Sequence, residues 1–209
     1  MGEGTKRMEN LFAVAFTAWG APTTWLELVA VIVALAMVAC NIRQIHWGWP
    51  LAIISSAMYF ALFWNSKLYG EAALQVFFAV VALWGWWQWL HGVRPDGSAL
   101  KVSTLSLAGT IKTIAASAGF TWVVALFLIN YTDSDVPWLD AFPTALSVIG
   151  QFLLGRKFLE NWLVWLIVNV ASVGLFAYKG LWLTTGLYTV FALLSVLGWW
   201  QWKRALTAP

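Results

Sequence analysis

The sequence predicts an all-α integral membrane protein of seven transmembrane helices, built as two parallel three-helix repeats joined by a connector helix. Three observations predict this class: an apolar composition, seven membrane-length apolar segments, and one aromatic motif that occurs twice. Of the 209 residues, 61% are hydrophobic and 10% are charged, whereas a soluble domain averages about 25% charged residues. The 17 Trp residues fit the same class, because Trp favours bilayer interfaces.

Seven segments are long and apolar enough to cross a lipid bilayer, since a spanning helix needs roughly 20 mostly apolar residues. They are residues 24–42, 48–64, 71–90, 107–131, 139–155, 159–178 and 184–202. Loops with Pro and turn-forming residues at 94–98 and 132–137 isolate the fourth segment from the others. We therefore expect an N-terminal peripheral segment (1–22), a first repeat (23–92), a connector loop and helix (93–137), a second repeat (138–204) and a tail (205–209).

The N-terminal segment is expected to lie outside the bundle. Residues 1–10 are polar and no cleavage site follows them, which argues against a signal peptide. Residues 11–19 are apolar but too short to span a bilayer, so a short peripheral helix is predicted there.

The duplication is read from a shared motif. Residues 85–89 and 198–202 both read Gly-Trp-Trp-Gln-Trp, each where a predicted span runs into a basic stretch. Further aligned pairs are Trp49 with Trp162, Leu68 with Leu181, Tyr69 with Trp182, and Phe78 with Phe191. Four crossings separate the third span from the seventh, so both point the same way. The repeats are then parallel, and alternating access between the two bundles is the expected transport motion.

The distribution of Lys and Arg predicts the orientation in the membrane. One side collects Arg43, Arg94, Lys101, Lys112, Arg156, Lys157, Lys203 and Arg204. The other side has Lys6, Arg7, Lys67 and Lys179 together with Asp133, Asp135 and Asp140. Because cytoplasmic loops carry the excess of positive charge, we predict a multi-pass protein of the inner (plasma) membrane with a cytoplasmic C-terminus.

Amides and hydroxyls inside the predicted spans are the candidate binding groups, because a polar side chain in hydrocarbon must find a partner or line a cavity. They are Asn41, Ser55, Ser56, Gln75, Gln88, Gln151, Asn169, Tyr188 and Gln201. The alternative is that they bond neighbouring helices together. Since amides recur in both repeats, we interpret the set as a cavity for a flat, neutral or weakly cationic ligand. Several glycines could allow close helix contact: Gly150, Gly155, Gly174, Gly180, Gly186 and Gly198.

Trp162, Trp165 and Asn169 form the sharpest constellation. Spacings of three and four residues place them on one helix face, with Asn169 about ten residues into its span. Two indoles and a deeper amide can hold an aromatic ring and bind its polar edge, and a cationic ring would gain cation–π attraction. An interfacial aromatic belt is the alternative, and it explains Trp162 better than Asn169.

The charged and reactive groups limit the function classes. Asp and Glu are absent from the middle of every predicted span, which favours passive uniport over ion coupling. Apart from Lys112, no deep cation is present to bind a phosphate. His46 and His91 at span ends leave haem or metal binding as an alternative, and the single Cys40 excludes a disulfide framework or a Cys-based metal site. Enzyme motifs are lacking; we predict no enzyme, no cofactor or metal, and no nucleic-acid partner.

Several stretches resemble the PnuC nicotinamide riboside transporters over about residues 25–204. They are residues 47–56 (WGWPLAIISS), 67–71 (KLYGE) with Leu74-Gln75, the Trp motif at 84–89, 160–165 (ENWLVW) with Asn169, and 178–181 (YKGL). The resemblance implies a three-one-three fold like that of the SWEET sugar transporters, facilitated diffusion of nicotinamide riboside, a homotrimer, and trapping by a separate cytoplasmic riboside kinase. It also implies that Trp162, Trp165 and Asn169 belong to the site. Thiamine, riboflavin or a sugar remain alternative substrates, and a membrane haem or scaffold protein is the non-transport alternative.

Overall fold

A computed structural model describes residues 13–18, 21–65, 69–94, 96–132, 134–178, 180 and 182–207. In these ranges the elements are β1 (Val14–Ala18), β2 (Ala21–Thr24), α1 (Trp25–Ile42), α2 (Gly48–Asn65), α3 (Tyr69–His91), α4 (Leu107–Tyr131), α5 (Pro137–Gly155), α6 (Asn161–Tyr178) and α7 (Trp182–Thr207). Each predicted span is therefore a helix. The chain forms two compact units, Met1–Trp86 and Trp87–Pro209, and α3 continues through the boundary.

The helix ends differ from prediction by a few residues. The bounds of α4 are as predicted, whereas α5 begins at Pro137, because proline is tolerated in the first helical turn, where its missing N–H would have no partner. The last helix continues to Thr207, five residues past its predicted end and into the predicted tail. Lys203 and Arg204 account for this extension, since both are good helix formers and a cation stabilises the C-terminal end of the helix dipole.

Three of the helices have the length and hydropathy of membrane-spanning segments. Among the described residues, α1, α4 and α6 combine at least 18 residues with high hydropathy and few charges. The helix α2 has 18 residues, which give about 27 Å of helix. Ala125 is the one fully buried residue of α4, whose large apolar side chains are mostly exposed. So large an exposed apolar surface is typical of a helix that contacts lipid or another protein chain.

The predicted peripheral helix at residues 11–19 is wrong where the structure describes the chain. Val14–Ala18 is instead a strand, paired antiparallel with Ala21–Thr24. Val, Phe and Thr within it are β-branched or aromatic and favour extended backbone, and a segment this short cannot sustain a helix alone. Other predictions fall outside the described residues: those on Lys6, Arg7, Lys67, Leu68, Asp133, Lys179 and Leu181.

In the first unit, α1 and α2 pack against each other and are connected by a tight turn. Thr24 caps α1, since its hydroxyl accepts the backbone N–H of Glu27 at 3.2 Å. Small residues Ala30 and Ala34 are buried on α1. The turn into α2 passes through Gln44, which adopts the left-handed region at φ 57°.

In the second unit, α5 packs against α4 and α6, and α6 packs against α7. The segment before α4 lies along the turn between α5 and α6. The backbone N–H of Ser103 donates to the Lys157 carbonyl at 3.1 Å, and the Ser103 carbonyl accepts the Leu159 N–H at 2.8 Å. The Glu160 carboxylate accepts the Leu105 N–H at 3.0 Å. Three hydrogen bonds thus anchor this segment to the α5–α6 turn.

The α1–α2 and α5–α6 turns have the same backbone geometry. Lys157 adopts φ 55°, close to the 57° of Gln44. The hydrogen bonds also correspond: Arg43 to Ala39 (3.2 Å) with Arg156 to Phe152 (3.1 Å), and Ile45 to Cys40 (2.9 Å) with Phe158 to Leu153 (3.0 Å). Every corresponding pair lies 113 residues apart, as from 44 to 157. That spacing also separates Trp49 from Trp162.

Candidate functional site

Trp162 is enclosed by α7. Its side chain is 3% exposed, and its indole occupies the space in which a Cβ on Gly198 would stand. The ring also meets Trp202 edge to face, with 5.6 Å between centroids and an 86° interplanar angle. Its buried indole N–H finds no hydrogen-bond partner among the described residues. In this conformation Trp162 joins α6 to α7 by packing.

The first unit contains the same arrangement. Trp49, 1% exposed, lies where a Cβ on Gly85 would stand. Because glycine has no Cβ, it lets a flat ring approach the helix backbone directly. The glycine of the duplicated motif therefore has a packing role in each unit. Gln88 of that motif is recognisable from the sequence as a polar residue within a span, whereas Gly85 is recognised only from its contact with Trp49.

Trp165 is half-buried, and its indole lies against Gly150 of α5. A Cβ on Gly150 would stand 3.2 Å from Cε2 and 3.4 Å from Nε1 of its indole. One part of the ring thus rests on bare backbone. Of the other glycines considered, Gly174, Gly180 and Gly186 have open space around them.

Asn169 is 5% exposed and lies one turn deeper on α6. Its Nδ2 donates to Ser195 Oγ on α7 at 3.1 Å, and that hydroxyl donates to the Phe191 carbonyl at 2.9 Å. One half of the amide therefore bonds neighbouring helices together. Ser195 was not among the predicted site residues, although a serine within an apolar stretch of α7 is a signal that could have identified it.

Gln151 and Tyr188 are half-buried residues of the same unit. Gln151 follows Gly150, whose backbone supports Trp165. The Tyr188 ring contacts two phenylalanines, with centroids 5.0 Å from Phe176 and 5.9 Å from Phe191. Through Phe191, Tyr188 lies near the helical turn that holds Ser195.

The two glutamines of the duplicated motif have different surroundings. Gln88 is buried and its Oε1 accepts a hydrogen bond from Arg156 Nη1 at 2.9 Å. Gln201 is exposed. Arg156 belongs to the α5–α6 turn, so Gln88 fixes that turn to α3.

A cationic and aromatic cluster surrounds the same turn. Lys157 Nζ lies 4.7 Å from the Trp89 ring centroid, and Trp89 Nε1 donates to the Leu154 carbonyl at 3.1 Å. Burial lowers the pKa of Lys157 below its ordinary value of 10.5, because the charged ammonium loses hydration. Trp202 adds a second indole, 6.1 Å from that of Trp89.

The candidate residues of the first unit are Asn41, Gln75, Ser55 and Ser56, and the two serines are buried on α2. Asn41 is buried near the end of α1, with its Oδ1 in the space of a Cβ on Gly48. Gln75 is half-buried on α3. His46 Nδ1 accepts a hydrogen bond from Trp86 Nε1 at 3.4 Å. In the part of the chain that the structure describes, no three His, Cys, Asp or Glu side chains come together to hold a metal.

Three comparisons relate this chain to known proteins. A family model described as nicotinamide mononucleotide transporter matches residues 24–204. The riboflavin/roseoflavin transporter RibM of Streptomyces davaonensis is 30% identical, covering 97% of each chain. The nicotinamide riboside transporter PnuC of Escherichia coli is 27% identical, covering 92% of this chain and 90% of its own.

A solved structure shares the fold. The crystal structure of the vitamin B3 transporter PnuC matches with a TM-score of 0.71 and 23% identity, covering 88% of this chain and 82% of that chain. These relatives are named as transporters, and the seven helices form an all-α architecture with apolar spans. The resemblance read from the sequence is confirmed, and the chain belongs to the PnuC family of multi-pass membrane transporters.

Proposed function

We propose that this chain carries nicotinamide riboside across the membrane by facilitated diffusion. The observation that carries the proposal is the pair formed by the half-buried Trp165 indole over Gly150 and the buried Asn169 amide one turn deeper. A pyridinium ring on a desolvated indole gains roughly 2 kcal/mol of cation–π attraction. An amide beside it offers hydrogen bonds to a carboxamide or a ribose. In this proposal Trp162 supports the α6–α7 contact rather than the ring.

The proposed substrate is the riboside rather than its phosphate. A phosphate group calls for Arg or Lys, and neither α5 nor α6 contains one. Arg156 and Lys157 lie in the turn between these helices. The relative from Escherichia coli is named as a nicotinamide riboside transporter, which agrees with an unphosphorylated ligand.

The proposed mechanism is uniport with trapping. The carboxylates on the described helices lie near helix ends, as Glu27 and Asp140 do in the first turns of α1 and α5. Proton or sodium coupling through an intramembrane carboxylate is therefore not part of the proposal. Net uptake then requires removal of the free riboside, which a separate cytoplasmic riboside kinase would supply.

The proposed architecture is two parallel three-helix repeats joined by α4 as the connector helix, working by alternating access. The two αL turns 113 residues apart and the two Gly–Trp contacts support an internal duplication. Arg43 and Arg156 end corresponding helices, which supports a cytoplasmic location for those turns and for the C-terminus. Within this architecture we retain Asn41, Gln75, Gln88, Gln151, Tyr188 and Gln201 as candidate substrate contacts. A homotrimer is proposed from the family resemblance.

Riboflavin is the second candidate substrate. The Streptomyces davaonensis relative, named as a riboflavin/roseoflavin transporter, is 30% identical over nearly its whole length. A flavin ring is flat and has N–H and C=O groups on one edge, so it also suits an indole with a deeper amide. Competition between the two vitamins for one site separates the candidates.

Binding measured on variants of α6 tests the site. We expect Trp165→Ala and Asn169→Leu each to weaken nicotinamide riboside binding about tenfold or more, because each removes roughly 1.4 kcal/mol or more of interaction. Leu163→Ala, an exposed residue of the same helix, is the matched control and should bind as wild type does. The proposed site is wrong if Trp165→Ala and Asn169→Leu bind like the control, and the proposed substrate is wrong if only riboflavin binds.

A further inference from the structure

The hydroxyl of Ser195 determines which way the Asn169 amide points. A serine hydroxyl carries one hydrogen and can otherwise only accept. Ser195 lies 2.9 Å from the Phe191 carbonyl, an oxygen that cannot donate, so the hydroxyl hydrogen is directed there. The remaining lone pairs of Ser195 can only accept toward Asn169. With the hydroxyl hydrogen on the Phe191 carbonyl, the group at 3.1 Å is the NH2 of the amide, and this network is the basis for assigning its nitrogen and oxygen.

The fixed amide presents its oxygen away from Ser195. In the described part of the chain, Ser195 is the one hydrogen-bond partner of the Asn169 side chain. Both residues are buried, at 5% and 3% exposed. Reversing the amide would require the Ser195 hydroxyl to turn its hydrogen from the Phe191 carbonyl to the amide oxygen, at the cost of the 2.9 Å hydrogen bond. Asn169 is thereby held as an acceptor for whatever approaches its free side.

We propose that Ser195 is a specificity-determining positioning residue, which makes Asn169 select ligands carrying an N–H or O–H donor on the edge that reaches it. This inference rests on the proposed function, because it concerns the same site. A carboxamide satisfies the requirement through its NH2, and a flavin does so through its ring N–H. A carboxylate in the same place presents only acceptors and meets the Asn169 oxygen without a hydrogen between them.

The test compares two ligands that differ at this group, nicotinamide riboside and nicotinic acid riboside, by calorimetry on purified full-length protein. Wild type should bind the amide at least about tenfold more tightly, since a site built for a donor leaves a buried acceptor unpaired when the donor is missing. Ser195→Ala frees the amide to reverse, so this preference should fall by about tenfold, while Ser195→Thr keeps the hydroxyl and the preference. Thr189→Val removes another α7 hydroxyl that bonds the fourth carbonyl before it and should change neither affinity.

Each outcome decides the inference. A wild type that binds both ribosides equally overturns it, even if Ser195→Ala fails to fold. An unchanged preference in folded Ser195→Ala also overturns it, because a merely structural serine would weaken both ligands alike. In both cases the proposed transport of nicotinamide riboside stands. If wild type binds neither riboside, the proposed substrate fails and the inference fails with it.

Discussion

Adding one methyl group at Gly198 should destabilise this protein, although the same change elsewhere on α7 should not. A Cβ at position 198 would overlap the Trp162 indole. That ring cannot withdraw easily, because it is 3% exposed and its other side meets Trp202. Overpacking of this kind costs about 1–3 kcal/mol, and the rigid ring places Gly198→Ala near 3. The higher helix propensity of alanine offsets about 1 kcal/mol of this cost, so the free energy of unfolding should fall by about 2 kcal/mol.

Thermal unfolding in detergent, followed by Trp fluorescence, measures this loss. A net loss of about 2 kcal/mol should lower Tm by about 4–8 °C in a chain of this size. Gly186→Ala is the matched control, since position 186 has open space around it and its Tm should hold or rise. A second variant, Trp162→Leu, should relieve the overlap, so the combined Trp162→Leu/Gly198→Ala change should cost less than the sum of its parts.

The Gly–Trp contact of the first unit allows the same experiment to be done independently. Gly85→Ala places a Cβ within the Trp49 ring in the same way, and its Tm should fall by a similar amount. The reasoning is refuted if Gly198→Ala and Gly186→Ala have the same Tm. It is also refuted if Trp162→Leu and Gly198→Ala add without coupling.

Three further predictions concern the turns and their contacts. Burial lowers the pKa of Lys157 below 10.5, so the unfolded chain binds this proton more readily than the folded chain does. The free energy of unfolding should therefore rise with pH between the folded-state pKa and 10.5. Chemical denaturation at several pH values measures this rise, and Lys157→Gln should abolish it. Arg156→Met and Gln88→Leu each remove one partner of a single hydrogen bond. A double-mutant cycle on the free energy of unfolding should give about 1–3 kcal/mol of coupling, and zero coupling would contradict the contact. Gln44→Gly should raise Tm by about 2–4 °C, because glycine adopts the positive φ at this turn about 1 kcal/mol more readily; a lower Tm would contradict that account.

The helices were predictable because membrane length and apolarity are local properties of a sequence. Residues 107–131 show this best, since both predicted ends agree with the structure. The αL conformation of Gln44 and Lys157 was not predictable, because neither Gly nor Asn marks the position. The strand at Val14–Ala18 was missed since its pairing with Ala21–Thr24 depends on a chain reversal that hydropathy does not report.

The candidate site was predictable in its residues but not in their partners. Spacing alone grouped Trp162 with Trp165, whereas packing separates them: one ring lies on α7 and the other on α5. Asn169 was identified as a polar residue deep in a span, but its bond to Ser195 joins positions 26 residues apart. Contacts between helices are set by tertiary packing, and a single sequence does not encode them in a readable period.

The most direct test of the account is calorimetric binding of nicotinamide riboside to the purified protein, with nicotinamide mononucleotide and riboflavin as comparators. A site with an indole, an amide and no Lys or Arg on α5 or α6 predicts binding of the riboside and none of the mononucleotide. Binding of the mononucleotide as tight as that of the riboside would contradict the uncharged site. Binding of riboflavin without any binding of the riboside would contradict the substrate, while leaving the family and the fold in place.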